Sequence, residues 1–369
     1  METGEFAWAE IFLDEALAGA DAHDDARLRA DAQLTQLLVR HWATDDLDAW
    51  RLEAGRETSA LIPLLSERND HAELAKAWRM VATIHAIACE WEATAEAQRQ
   101  ALNYAQLAGK TRQAARMSGV YSISLFHGPT PVPVAIEECD EILKRGLPDR
   151  QAEALVRCSL ASLVAIAGDF ARARDLYREA RGTLEDLGAV VVAAWTCLTL
   201  GRVELLAGDA AAAEKQLRRD HDGLVELNDL YYRPLVTAML AQAIYSQGRW
   251  REAGELAAAA GELAAKDDVE PQALSRSVRA KSVAAAGDFD EGIALAREAV
   301  DLLSATDAIV LRVDALVDLA EVLDRAHLSD ETRSTLEEAH GLCALKQMQV
   351  PGSRVEALME RSDAAARAV

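Results

Sequence analysis

The sequence predicts an all-α chain built from stacked helical hairpins, and three observations carry that prediction. First, alanine and leucine abound, while only 5% of the 369 residues are aromatic and 8 are proline. Ala and Leu lose little free energy in a helix, whereas strands favour β-branched and aromatic side chains. Second, a small–Gly–polar–bulky tetrad recurs at nearly constant spacing. Third, small residues stand at fixed offsets on either side of it, along what would be one helical face.

The tetrad is clearest at Ala167-Gly168-Asp169-Phe170, Ala207-Gly208-Asp209-Ala210, Gln247-Gly248-Arg249-Trp250 and Ala286-Gly287-Asp288-Phe289. Looser versions are Cys89-Glu90-Trp91, the Gly128 to Val132 turn, and His327-Leu328-Ser329. With the last residue of each as anchor, positions 91, 132, 170, 210, 250, 289 and 329 follow one another at intervals of 41, 38, 40, 40, 39 and 40. A glycine just past a helix end takes the left-handed conformation that satisfies orphan carbonyls without a Cβ clash. The polar residue after it then sits near the start of the next helix.

Three and ten residues after the anchor come Ala173 and Ala180, Ala253 and Ala260, Gly292 and Ala299. Nine and ten residues before it stand Leu160-Ala161, Leu200-Gly201, Leu240-Ala241 and Leu319-Ala320. A Leu–small pair, a turn and then small residues is the tetratricopeptide pattern. The expected fold is therefore a tetratricopeptide-like, right-handed superhelical solenoid of antiparallel helix hairpins. Its repeat of about 40 residues is longer than the usual 34 or so.

Along the chain, residues 1–369 read as one repeat domain. Gly4-Glu5-Phe6 with Ala9, Leu13 and Ala16 reproduces the second-helix offsets, so 1–21 is expected to be a partial leading unit. Residues 22–67 are long enough for one degenerate hairpin, 71–346 for seven in-register hairpins, and 352–367 for a C-terminal capping helix. Solenoids usually start with a complete capping unit, so opening on a second helix leads us to expect a piece of something longer.

The formal charge of −22 arises from 61 acidic and 39 basic residues. Such a chain repels nucleic-acid phosphates and anionic membranes, and neither is expected as a partner. The longest uncharged stretch, Leu187 to Gly201, is shorter than the roughly twenty residues of a membrane span and predicts a buried core helix. Five cysteines, Cys89, Cys139, Cys158, Cys197 and Cys343, form no CxxC pair. With no signal-peptide pattern at the start, they fit a reduced, cytoplasmic protein.

Candidate chemistry is sparse. Gly109-Lys110-Thr111 resembles the end of a phosphate loop, but the leading glycine position holds Tyr104 and the segment joins two helices. His85 and Cys89 share a helical face, yet two ligands do not make a metal site. His340 and Cys343 lack an orienting carboxylate or an oxyanion hole. Pro129-Thr130-Pro131-Val132-Pro133 reads as a rigid turn rather than a polyproline ligand. No active site, metal or cofactor is expected.

Partner recognition is better marked. Around eight residues before each anchor stand Thr83, Ser122, Ser162, Arg202, Gln242, Lys281 and Glu321, polar residues on otherwise apolar first helices. Their period equals the repeat, so they should form a ladder along one face, with Arg79, Trp195 and Tyr245 beside it. Arg202, Gln242 and Lys281 are expected as an exposed, donor-rich patch on a concave surface. The expected role is a non-catalytic scaffold that binds a protein or peptide. The alternative is a sensor holding a small molecule or peptide inside the superhelix.

The segments Ala77-Trp78-Arg79, His127-Gly128-Pro129-Thr130-Pro131-Val132, Val203-Glu204-Leu205-Leu206-Ala207-Gly208-Asp209 and Ala315 to Leu323 also carry a family resemblance. They resemble the carboxy-terminal tetratricopeptide region of bacterial multidomain signalling proteins, in which a class III adenylate/guanylate cyclase domain and an ATPase domain precede the repeats. Large LuxR-type ATP-dependent regulators carry related repeats. The resemblance spans about 5 to 345 and implies a regulatory, sensor or docking role beside a cyclase or ATPase module. This sequence has neither the cyclase metal-binding carboxylates nor the ATPase phosphate loop, so neither activity is implied for it.

Overall fold

Turn chemistry and helix propensity set the elements. The computed structural model describes residues 6–44 and 46–368, and all the regular structure in it is helical. The helices are α1 (Phe6–Ala22), α2 (Ala26–Ala43), α3 (Leu47–Glu67), α4 (His71–Ile87), α5 (Trp91–Leu107), α6 (Thr111–His127) and α7 (Val132–Arg145). The middle of the chain forms α8 (Arg150–Ile166), α9 (Phe170–Asp186), α10 (Val190–Trp195), α11 (Cys197–Leu206), α12 (Ala210–Glu226) and α13 (Arg233–Tyr245). Then come α14 (Trp250–Leu263), α15 (Val269–Ala285), α16 (Phe289–Ser304), α17 (Ile309–Arg325), α18 (Ser329–Lys346) and α19 (Gln349–Ala368).

The tetrads behave as their chemistry requires. Gly208 has φ +80°, and Gly168, Gly248 and Gly287 are likewise left-handed. The aspartate after the glycine then caps the next helix: Asp169, Asp209 and Asp288 accept from the backbone N–H of Arg172, Ala212 and Glu291. Cys89 and His327 adopt the same left-handed conformation without being glycine. Ala173, Ala180, Ala253, Ala260 and Ala299 are fully buried where neighbouring helices meet.

Four features depart from the regular pattern. Gly128 is extended rather than left-handed. A Cβ there would lie 2.9 Å from both Ser124 O and Trp91 Cβ. The unit it belongs to is splayed: α6 packs mainly along α8 rather than α7, with Ser122 Oγ 2.9 Å from Ser159 Oγ. At the start, α2 lies mainly against α1, and α3 against α4, rather than α2 and α3 against each other. Ala9, Leu13 and Ala16 are part-buried on α1, while Gly4 and Glu5 lie outside the described residues.

The uncharged stretch is also not one helix. It breaks between α10 and α11, because Thr196 Oγ1 and Arg181 Nη1 both donate to the Ala193 carbonyl, which a continuous helix would bond to an amide one turn on. Side-chain groups inserted into the backbone ladder bend helices in this way.

The superhelix closes on itself. Asp267, before α15, accepts from the Asp48 N–H at the start of α3 (2.6 Å). Asp307, before α17, accepts from the Trp91 and Glu92 N–H groups at the start of α5 (2.5 and 2.7 Å). Lys346, at the end of α18 and 0% exposed, donates to the carbonyls of Leu125, Gly128 and Thr130 at the end of α6. Each contact sets an anion on a helix N-terminus or a cation on a C-terminus, where the orphan backbone groups and the macrodipole favour it. The sequence separations are 219, 216 and 221 residues. At about 40 residues per repeat, the chain meets itself again after roughly five and a half units. Behind these contacts Leu125, Leu160 and Leu163 share a core with Val313, Leu316 and Val355.

Candidate ligand cavity

First helices turn their apolar faces inward, and closure encloses the space between them. A cavity of about 470 Å³ is lined from α2, α3, α4, α5, α6, α8, α10, α11, α13 and α15. Six aromatic residues reach it: Trp42, Trp91, Phe126, Trp195, Tyr231 and Tyr232. Trp42 and Tyr231 lie 4.2 Å apart between ring centroids, Trp195 stacks on Tyr232 at 5.5 Å, and His127 stacks on Trp91 at 4.6 Å. A second chamber of about 110 Å³, lined by α11, α13, α15, α16, α17 and α19, shares Arg202, Met239 and Glu270 with the first.

Several polar atoms on this wall have no hydrogen-bond partner among the described residues. They are the Trp42 and Trp91 indole N–H groups, Gln98 Oε1, His41 Nδ1 and His127 Nδ1. Burial holds His41 down at about 4, and burial together with the Arg202 and Lys346 charges pulls His127 well below the usual imidazole value. Both rings are therefore neutral near pH 7.

The carboxylates at the start of α15 behave in the opposite way. Burial, with Asp267 beside it, pushes Asp268 up to about 7. Burial and the neighbouring Asp268 push Glu270 to about 7 against the opposing pull of Arg202. Among the described residues neither side chain makes an ion pair or hydrogen bond.

The ladder residues divide among different environments. Thr83, Ser162, Trp195 and Arg202 line the larger cavity; Arg202 and Gln242 line the smaller. Ser122 is fully buried and bonded to Gly119 O and Ser159. Arg79 is half-buried and outside the cavity lining.

The expectation of an exposed Arg202–Gln242–Lys281 patch is corrected. Lys281 is 1% exposed. It donates to Asp318 (2.6 Å) and Gln242 Oε1 (2.7 Å) and sits over the Tyr245 ring. Tyr245 in turn donates to Glu321, which also pairs with Arg325. An ammonium taken this far from water needs such partners, and they lie 37 and 39 residues away in sequence. Arg202 pairs with Asp314 at 2.8 Å and lies over Phe126.

Sequence reasoning missed His41, Trp42, Tyr231, Asp268 and Glu270. His41 and Trp42 sit on a degenerate leading helix, Tyr231 and Asp268 in the loops before α13 and α15, and Glu270 in the first turn of α15, all outside the repeat register. The only sequence signal was that of Trp42 and Tyr231, aromatic residues in a chain otherwise poor in them.

The other marked pairs are structural. His85 contacts Glu90 rather than Cys89, and the exposed His340 contacts Glu356. Cys343 is buried and pushed up to about 12 by burial, which leaves it a thiol at neutral pH. No described helix is long and apolar enough to cross a membrane.

No model of a known protein family matches the sequence, and no curated protein matches it. Solved structures do. A Rap protein complexed with competence and sporulation factor aligns over 94% of this chain and 95% of its own, with a TM-score of 0.70 and 13% identity. The APC/C hetero-tetramer Cut9–Hcn1 aligns over 94% of this chain and 58% of its own, at TM-score 0.53 and 13% identity. A signal-transduction ATPase of the STAND class with a tetratricopeptide sensor, from Pyrococcus horikoshii, covers 88% of this chain and 44% of its own, at TM-score 0.42 and 15% identity. The chain has the tetratricopeptide-like solenoid fold.

Proposed function

We propose that this chain is a non-catalytic recognition scaffold that takes a short peptide, or a peptide segment of a protein partner, into the interior of its superhelix. The observation that carries the reading is the cavity of about 470 Å³, walled by six aromatic residues and carrying unpartnered indole N–H, imidazole and amide groups. Ligand sites are typically concave, mostly apolar and set with a few orienting polar groups, with volumes of roughly 300–1,000 Å³. That volume holds only a few residues. It also favours a second reading, a small-molecule sensor using the same walls. A Rap protein of similar fold is seen complexed with a second component, and the same kind of role is proposed here. The sequence resemblance adds a setting: a docking or sensor region in a bacterial signalling protein, acting beside a cyclase or ATPase module.

Selection from a random heptapeptide library on the wild-type chain and on Thr83→Trp tests this reading. Thr83 lines the cavity and its hydroxyl bonds only within its own helix, so an indole there fills space without removing a tertiary contact. Wild type should enrich a family of sequences that bind Thr83→Trp at least tenfold more weakly at unchanged melting temperature. Selected peptides indifferent to Thr83→Trp would place the binding surface elsewhere and sink the interior reading.

A further inference from the structure

The interior wall is uneven in charge. Asp268 and Glu270, two residues apart at the start of α15, both line the cavity, and among the described residues neither makes an ion pair or a side-chain hydrogen bond. Arg202 is the cation felt by Glu270, but its guanidinium is engaged with Asp314 at 2.8 Å and with the Phe126 ring. Asp267 adds a like charge, and Tyr231 and Cys89, which feel both carboxylates, are neutral. Desolvated carboxylates are costly unless something pairs with them.

Beside them stand π faces. Tyr231 is packed against Trp42 and set edge-on to Tyr232 at 4.8 Å, and aromatic faces attract ammonium and guanidinium groups. A separate observation also calls for a ligand. Gln98 and Trp91, 2% and 7% exposed, carry a side-chain acceptor and a donor with no partner on the same wall. An acceptor and a donor together suit a ligand with amide N–H and C=O groups.

Resting on the interior-binding reading, we infer that Asp268 and Glu270 form a cation subsite, receiving the ammonium or guanidinium of a lysine or arginine side chain in the bound peptide. The Trp42 and Trp91 indoles donate to peptide carbonyls, and Gln98 accepts from a peptide N–H. The formal charge of −22 helps by steering cationic ligands toward the protein.

The heptapeptides selected on wild type provide the test. They should be enriched in Lys or Arg at one position. Replacing that residue by norleucine or citrulline should weaken binding at least tenfold. The variant Asp268→Asn/Glu270→Gln should bind the cationic peptide at least tenfold more weakly and its neutral counterpart within twofold of wild type.

If peptides are selected and excluded by Thr83→Trp but show no preference for charge, the inference fails while the interior reading stands. If no peptide is selected, agmatine and spermidine separate the cases. Binding of either, lost in the double variant, supports the cation subsite with a free amine as its source. Binding of neither overturns both. The double variant removes only unpaired charges and should fold as well as wild type. Its failure to fold, with the single variants failing too, would show that protein partners hold the carboxylates, which overturns the inference.

Discussion

Lys346 and the Asp268–Glu270 pair illustrate how a residue's partners decide its role. Burial pulls Lys346 down to about 7; in its charged form its three ammonium hydrogens meet three carbonyl acceptors, those of Leu125, Gly128 and Thr130, so its donors are matched. Lys346→Met should cost about 2 kcal/mol or more, because buried acceptors left unpaired each forfeit roughly 1–3 kcal/mol. An unchanged melting temperature would contradict this. Asp268 and Glu270 lack such partners, and burial raises both to about 7. Between their unfolded values near 4 and the folded value near 7, the folded state binds more protons than the unfolded one. Stability contributed by the pair is therefore present at low pH and lost as pH rises through about 7. Melting curves from pH 5 to 8 should show a steeper fall for wild type than for Asp268→Asn/Glu270→Gln. Parallel curves would mean that the carboxylates are solvated.

At the scale of the element, two glycines in similar turns should respond differently. Gly208 has φ +80° with open space around it, so Gly208→Ala meets only backbone strain, about 1–2 kcal/mol. Gly128 has an ordinary φ, but its Cβ would strike Trp91 and Ser124 O at 2.9 Å, and overpacking of that kind costs typically 1–3 kcal/mol while also prising open the Lys346 clamp. Urea melts should rank Gly128→Ala as the more damaging, and the reverse order would refute the close approach. The four tetrad glycines were legible because the left-handed cap is a local requirement written into four residues. Cys89 and His327 were found only through spacing, since their residue types carry no cap signal. Thr196 was not legible as a helix breaker: the diversion of the Ala193 carbonyl depends on Arg181, which sits on the preceding helix.

Over the whole molecule, the periodic part of the fold could be read from the sequence and its closure could not. The three closing contacts join residues more than two hundred positions apart, and an aspartate before a helix looks the same whether it caps its own helix or another. Lys281 shows the same limit at the candidate site: its polarity was visible, but not Asp318, which removes it from the surface. Closure can be tested through Asp307. Asp307→Ala removes the N-terminal cap of α5 and should cost about 0.5–2 kcal/mol. Combined with Lys346→Met it should enlarge the radius of gyration in small-angle scattering, and unchanged dimensions would mean that the ring is held elsewhere. The central claim is that recognition takes place inside this closed ring. Its most direct test is hydrogen–deuterium exchange on the wild-type chain with and without a library-selected heptapeptide. Exchange should slow on the cavity-lining helices α4, α8, α11 and α13 and at the start of α15. Slowing confined to the helices outside the cavity wall, α9, α12, α14 and α16, would contradict it.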